Sequence, residues 1–171
     1  DDHYWENYAS QFTDLVALAN IADVMNIKSE STRAVINIGL DNIKNKMLAE
    51  LVKSQDYSMK GRTNPHTIAF CIAPMINAFL RLATFEERKL LVEAFCEDEL
   101  EVFEYTKCGA SEPTLENIYE HMVRLMTSYR GKQTRSRDKS VKLLLDKAQE
   151  CENDKVAIID GTVEIEQALT G

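Results

Sequence analysis

Apolar positions recur at steps of three and four through most of this chain, the spacing of amphipathic helices. Trp5, Tyr8, Phe12, Leu15, Val16, Ala19 and Ala22 predict a first helix from about Asp2 to Met25. Polar punctuation comes next at 28–32, where Ser29 or Ser31 can cap the second helix. Val35 or Ile36, Leu40, Ile43, Met47, Leu48, Leu51 and Val52 carry that helix to about Lys53. Gly39 weakens it by about 1 kcal/mol relative to alanine, which packing must offset.

Residues 54–64 read as a loop, and Asn64-Pro65 as a cap followed by proline at the first helical position. From Ile68 to Leu82 the side chains are apolar nearly all round, which predicts a central helix contacted on most sides. Pro74 cannot donate to the carbonyl four residues back, so a kink is expected there. A bent core helix is the plain expectation; a hinge or ligand pocket at the kink is the sharper one. Thr84-Phe85-Glu86-Glu87 fits a capping box and starts a helix at Phe85. That helix runs to Lys107, with Gly109 as its stop, or breaks near Cys96–Asp98.

Ser111-Glu112-Pro113 opens a further helix with Leu115, Ile118, Tyr119, Met122, Val123, Met126 and Tyr129 inward and Gly131 as its stop. Residues 132–138 form a polar joint, and Val141, Leu144, Leu145, Ala148 and Cys151 stripe a last helix. Val156-Ala157-Ile158-Ile159, Asp160-Gly161 and Thr162-Val163-Glu164-Ile165-Glu166 carry a hairpin signal. A short helix from Thr162 to Leu169 competes with it. The expected fold is all-α: one compact bundle of about six helices around the Pro74 helix, with a small C-terminal β-hairpin as its one β candidate. Residues 1–153 form the helical domain, and 154–171 an appendage.

Composition agrees with this. Six glycines and three prolines in 171 residues are too few for a turn-rich sandwich or barrel. The four cysteines have no Cys-x-x-Cys spacing and no nearby histidine partner, so no zinc site or other metal is expected. They point to a reducing compartment, cytoplasm or nucleus. No apolar stretch approaches the roughly 20 residues that span a bilayer, so no membrane contact is expected.

Charge is sorted along the chain. Glu93, Glu97, Glu101 and Glu104 step by four, four and three, which places all of them on one helical face. Arg130, Lys132, Arg135, Arg137, Lys139 and Lys142 fill the polar joint and the start of the last helix, against Asp138 alone. The histidines are scattered, and no phosphate loop, dinucleotide fingerprint or nucleophile elbow occurs. No catalytic residue and no cofactor is therefore expected.

The leading expectation is a non-catalytic interaction or self-association module, a scaffold or adaptor forming homo-oligomers. Its acidic face would meet a basic partner surface, with Tyr4, Trp5 and Tyr57 as apolar anchors. The alternative is a nucleic-acid-binding domain, nucleoprotein- or coat-like, gripping phosphates through Arg130, Lys132, Arg135, Arg137 and Lys139, with Tyr129 as the adjacent aromatic able to stack a base. A third reading is an apolar ligand cavity around Met75 and Phe79.

Overall fold

The computed structural model describes residues 8–96, 101–109 and 111–149. The chain is mostly helical, as its periodicity predicts. The longer helices are α1 (Thr13–Ala22), α2 (Glu30–Asp41), α3 (Lys46–Ser54), α4 (Ala73–Leu82), α5 (Phe85–Cys96) and α6 (Ile118–Gln149), and a single helical turn at Asp56–Met59, closed by buried Met59, lies within the stretch expected as a loop. A two-stranded antiparallel hairpin, β1 (Val102–Tyr105) and β2 (Thr114–Asn117), lies between α5 and α6. The hairpin signal at 156–166, Tyr4 and Trp5 all lie outside the described residues, as does the boundary at 153/154.

The core is built where the apolar stripes converge. α1 packs along α2, and α6 along α4, with α3 joining α5 to α6. Phe79, Met75, Ile68 and Ile72 are fully enclosed, together with Met47, Leu48 and Leu51 of α3 and Met122 and Met126 of α6. Met75 and Phe79, the centre of the third reading, lie in this core, 1% and 0% exposed.

The helix expected from about 30 to 53 is two helices. The break at 42–45 is set by Asp14, whose carboxylate accepts hydrogen bonds from the Lys44 and Asn45 amides at 2.8 and 2.7 Å. Asn45 then caps α3 by accepting from the Leu48 amide. Gly39 is explained by helix contact: a Cβ there would run into the Thr13 carbonyl and come within 2.7 Å of the Ala17 Cβ. Its missing side chain is what lets α1 and α2 touch.

Asn64 and Thr67 form a reciprocal capping box with Pro65 in the first turn. The expected disturbance at Pro74 takes the form of a π-helical turn over Ile68–Ile72 that feeds α4. The Thr84–Glu87 box is present in both directions and starts α5, which ends at Cys96. The second of the two endings expected for that helix is the one found.

Two expectations fail further on. Residues 102–105 and 114–117 are strands, not helix, paired Val102↔Asn117 through Tyr105↔Thr114. β-Branched and aromatic side chains at 102, 103 and 105 suit a pleated surface better than a helix end. Leu115, expected inward, is exposed on β2. Gly131 does not stop a helix: α6 runs unbroken from Ile118 to Gln149, so the polar joint is helical. A glycine lacking a left-handed turn or a following proline lowers helix stability by about 1 kcal/mol without ending it. From 127 to 145 each residue is exposed or only half-buried, so this part of α6 presents much of its surface to solvent.

Candidate nucleic-acid interface

The unbroken helix re-sorts the basic residues. At 100° per residue, Lys132, Arg135, Lys139 and Lys142 step by three, four and three and share one face, a stripe about 15 Å long. All four are exposed. Lys132 rests over the Tyr129 ring at 4.5 Å, while Arg135, Lys139 and Lys142 form no ion pair with any described residue. Arg137 points away from that face and pairs with Asp138 at 3.0 Å.

Arg130 has a different task. Pro74 leaves the Phe70 carbonyl without its helical donor, and Arg130 supplies one, with Nη2 at 3.3 Å from Phe70 O and Nη1 at 2.9 Å from Cys71 O. It clamps the π turn, so its expected place among the phosphate-gripping residues is corrected to an internal one. Tyr129 is also internal. Its ring packs edge-on against Phe79 at 5.4 Å, and its hydroxyl donates to Glu87 at 2.8 Å. That bond to the carboxylate raises the Tyr129 pKa, and burial adds to it. Burial works to raise the Glu87 pKa, but the Thr84 amide and the Tyr129 and Thr84 hydroxyls outweigh it and hold the carboxyl low.

The acidic residues do not make one helical face. Glu93 is on α5 beside Lys89 at 3.6 Å, whereas Glu101 and Glu104 belong to the strand region, because the helix has ended by then. Glu97 lies outside the described residues. Tyr57 is almost wholly exposed.

The hairpin docks on α6 through a polar-aromatic cluster that the sequence patterns do not reveal. Arg124 Nε donates to both Glu116 oxygens at 3.0 Å, and its guanidinium lies 3.8 Å over the Tyr105 ring. His121 stacks on Phe103 at 4.1 Å and offers Nδ1 to Arg124 at 3.0 Å. Burial and the neighbouring Arg124 hold His121 below its ordinary value, against the opposing pull of Glu116.

A groove of about 700 Å³ opens beside the π turn, between the α1 end and the start of α4. Ile21, Met25, Ile27, Phe70 and Pro74 give it apolar walls, and Asn20, Asn64 and Asn77 also line it. A pocket at the proline is the sharper of the two expectations there. Phe70 is 62% exposed and stacks at a tilt on His66, with ring centroids 4.6 Å apart. Val24, on the groove wall, holds a left-handed φ of 54° and an almost bare side chain. For a β-branched residue that conformation costs about 1–2 kcal/mol.

The surface thus carries a cationic stripe on α6 and, apart from it, an apolar, aromatic groove beside the π turn. No family model matches the chain, and no solved structure matches it. Among curated proteins it is similar along its whole length to two proteins provisionally named as nucleases. One is the SPbeta prophage-derived single-strand DNA-specific exonuclease YorK of Bacillus subtilis (strain 168); the other is the single-strand DNA-specific exonuclease yorK of Bacillus phage SPbeta. Identity to each is 34% over 173 residues, and the chain spans 30% of the length of either relative. The expectation of a non-catalytic scaffold or adaptor is corrected by this finding, because the proteins that match the chain from end to end are named as enzymes acting on DNA. The expectation that the chain is not an enzyme is corrected by the same finding. Among the described residues no helix is long and apolar enough to cross a membrane.

Proposed function

We propose that this chain is part of an enzyme that degrades single-stranded DNA, and that it holds the strand by its phosphates along α6. The observation carrying this reading is the face of Lys132, Arg135, Lys139 and Lys142, four exposed cations at helical spacing on a chain of net charge −8. Its relatives' name supplies the polymer, and the stripe supplies a way to hold it. Guanidinium and ammonium groups on phosphate oxygens fix the strand's position without reading its sequence, which suits a nuclease that must accept any base. A cytoplasmic or nuclear setting, expected from the cysteine pattern, is where such a substrate is met.

The variant carrying K132Q, R135Q, K139Q and K142Q tests the reading. Its affinity for a labelled single strand, followed by fluorescence anisotropy at low salt, should fall at least tenfold. R137Q, on another side of the helix and already paired, should bind as the parent does. Equal binding by the parent and the fourfold variant would remove α6 from the interface.

A further inference from the structure

Single strands differ from duplexes in offering unstacked bases, and a protein that holds them commonly adds aromatic faces to its cations. The α6 stripe has no aromatic free for this, because Tyr129 is packed against Phe79 and bonded to Glu87. The groove has one. We propose that Phe70, braced by His66, is a stacking platform for a nucleobase, and that the groove beside Pro74 receives that base. The inference rests on the strand-binding reading above and extends it from phosphates to bases.

Three observations point to a base as the occupant. Phe70 is a large aromatic left 62% exposed, and its tilted contact with His66 fixes the ring while leaving a face outward. The backbone beneath it is rigid, since Arg130 clamps the Phe70 and Cys71 carbonyls and Pro74 lies just beyond. The last observation is charge. The chain has 28 acidic residues, yet no Asp or Glu lines the groove. Its polar side chains are instead the His66 imidazole and three amides, including an exposed Asn77, whose side chain can donate to and accept from a base edge. At about 700 Å³ the space is within the range of small-ligand sites and takes a nucleobase with room for its sugar.

The test compares a base-bearing single strand with an otherwise identical strand of abasic sites, using the intact chain and the F70A and F70W variants. Phe70 is surface-exposed, so F70A should keep the parent's urea midpoint. The parent should bind the base-bearing strand about tenfold more tightly than the abasic one, and F70A should lose that preference while binding the abasic strand as the parent does. F70W should retain it. If the parent binds both strands equally, with the salt dependence of phosphate contacts, the platform is overturned and the strand-binding reading stands. If F70A keeps the preference, bases are read elsewhere and the platform is overturned as well. Binding to neither strand would overturn both readings.

Discussion

Asp14 is the charged side chain buried among the described core residues, 1% exposed and bonded to three amides, those of Leu15, Lys44 and Asn45. Its carboxylate fixes the point at which one helix stops and the next begins, and it sits where the positive end of α3 favours a negative charge. Replacing it by alanine strands two amides of the 42–45 turn, each worth about 1–3 kcal/mol when left without a partner. We therefore expect D14A to lose about 3 kcal/mol in urea unfolding, while D14N, which keeps one acceptor oxygen, loses less. Equal stability of D14A and the parent would show that the turn holds itself. Nothing in the sequence around Asp14 announces this role, since its partners are thirty residues away. Arg130 is hidden for the same reason: as a basic residue among others it resembles a phosphate ligand, and only the π turn in space shows its carbonyl partners.

At the scale of elements, much is legible because local chemistry decides it. The Asn64 cap and the Thr84–Glu87 box are readable as sequence and are present as bonds. A third box is masked in the sequence. Asn117 accepts from the Glu120 amide at 2.9 Å and Glu120 accepts from the Asn117 amide at 3.1 Å, which places the start of α6 at Ile118. The pull of Ser111-Glu112-Pro113 as a helix opening hides it, and with it the hairpin. Gly39 is legible as a cost but not as a contact. Alanine there gains about 1 kcal/mol of helix propensity but meets the Thr13 carbonyl and the Ala17 side chain. The G39A variant should be net destabilised by about 1–2 kcal/mol, and a rise in its urea midpoint would contradict the α1–α2 contact.

The hairpin carries its own prediction. His121 is held below its ordinary value of 6.5, chiefly by burial and then by Arg124. It therefore binds protons less readily folded than unfolded, so stability is full above about pH 6.5 and falls as the pH drops through the interval beneath it. Urea midpoints should decline between about pH 7.5 and about pH 5.5, and H121Q should flatten much of the decline. A midpoint that rises on acidification would contradict the stacked, neutral His121.

Across the whole molecule, charge is arranged by geometry that sequence order conceals. The acidic run looks like one face only if a helix is extended past Cys96. The basic joint looks like a loop only if Gly131 is a stop. With α6 continuous, Lys132, Arg135, Lys139 and Lys142 align, Arg137 leaves the set, and Arg130 becomes structural. The helical class and most of the core are readable from periodicity. The groove is not, because it depends on how the α1 end meets the π turn.

Single-strand binding as a function of salt tests the central claim most directly. If the four stripe cations each neutralise a phosphate, the log–log slope is about −3, and raising salt from about 50 mM to about 200 mM weakens binding about 50-fold. The fourfold glutamine variant should bring that slope near zero. A slope near zero for the parent, or one the variant leaves unchanged, would contradict strand binding along α6.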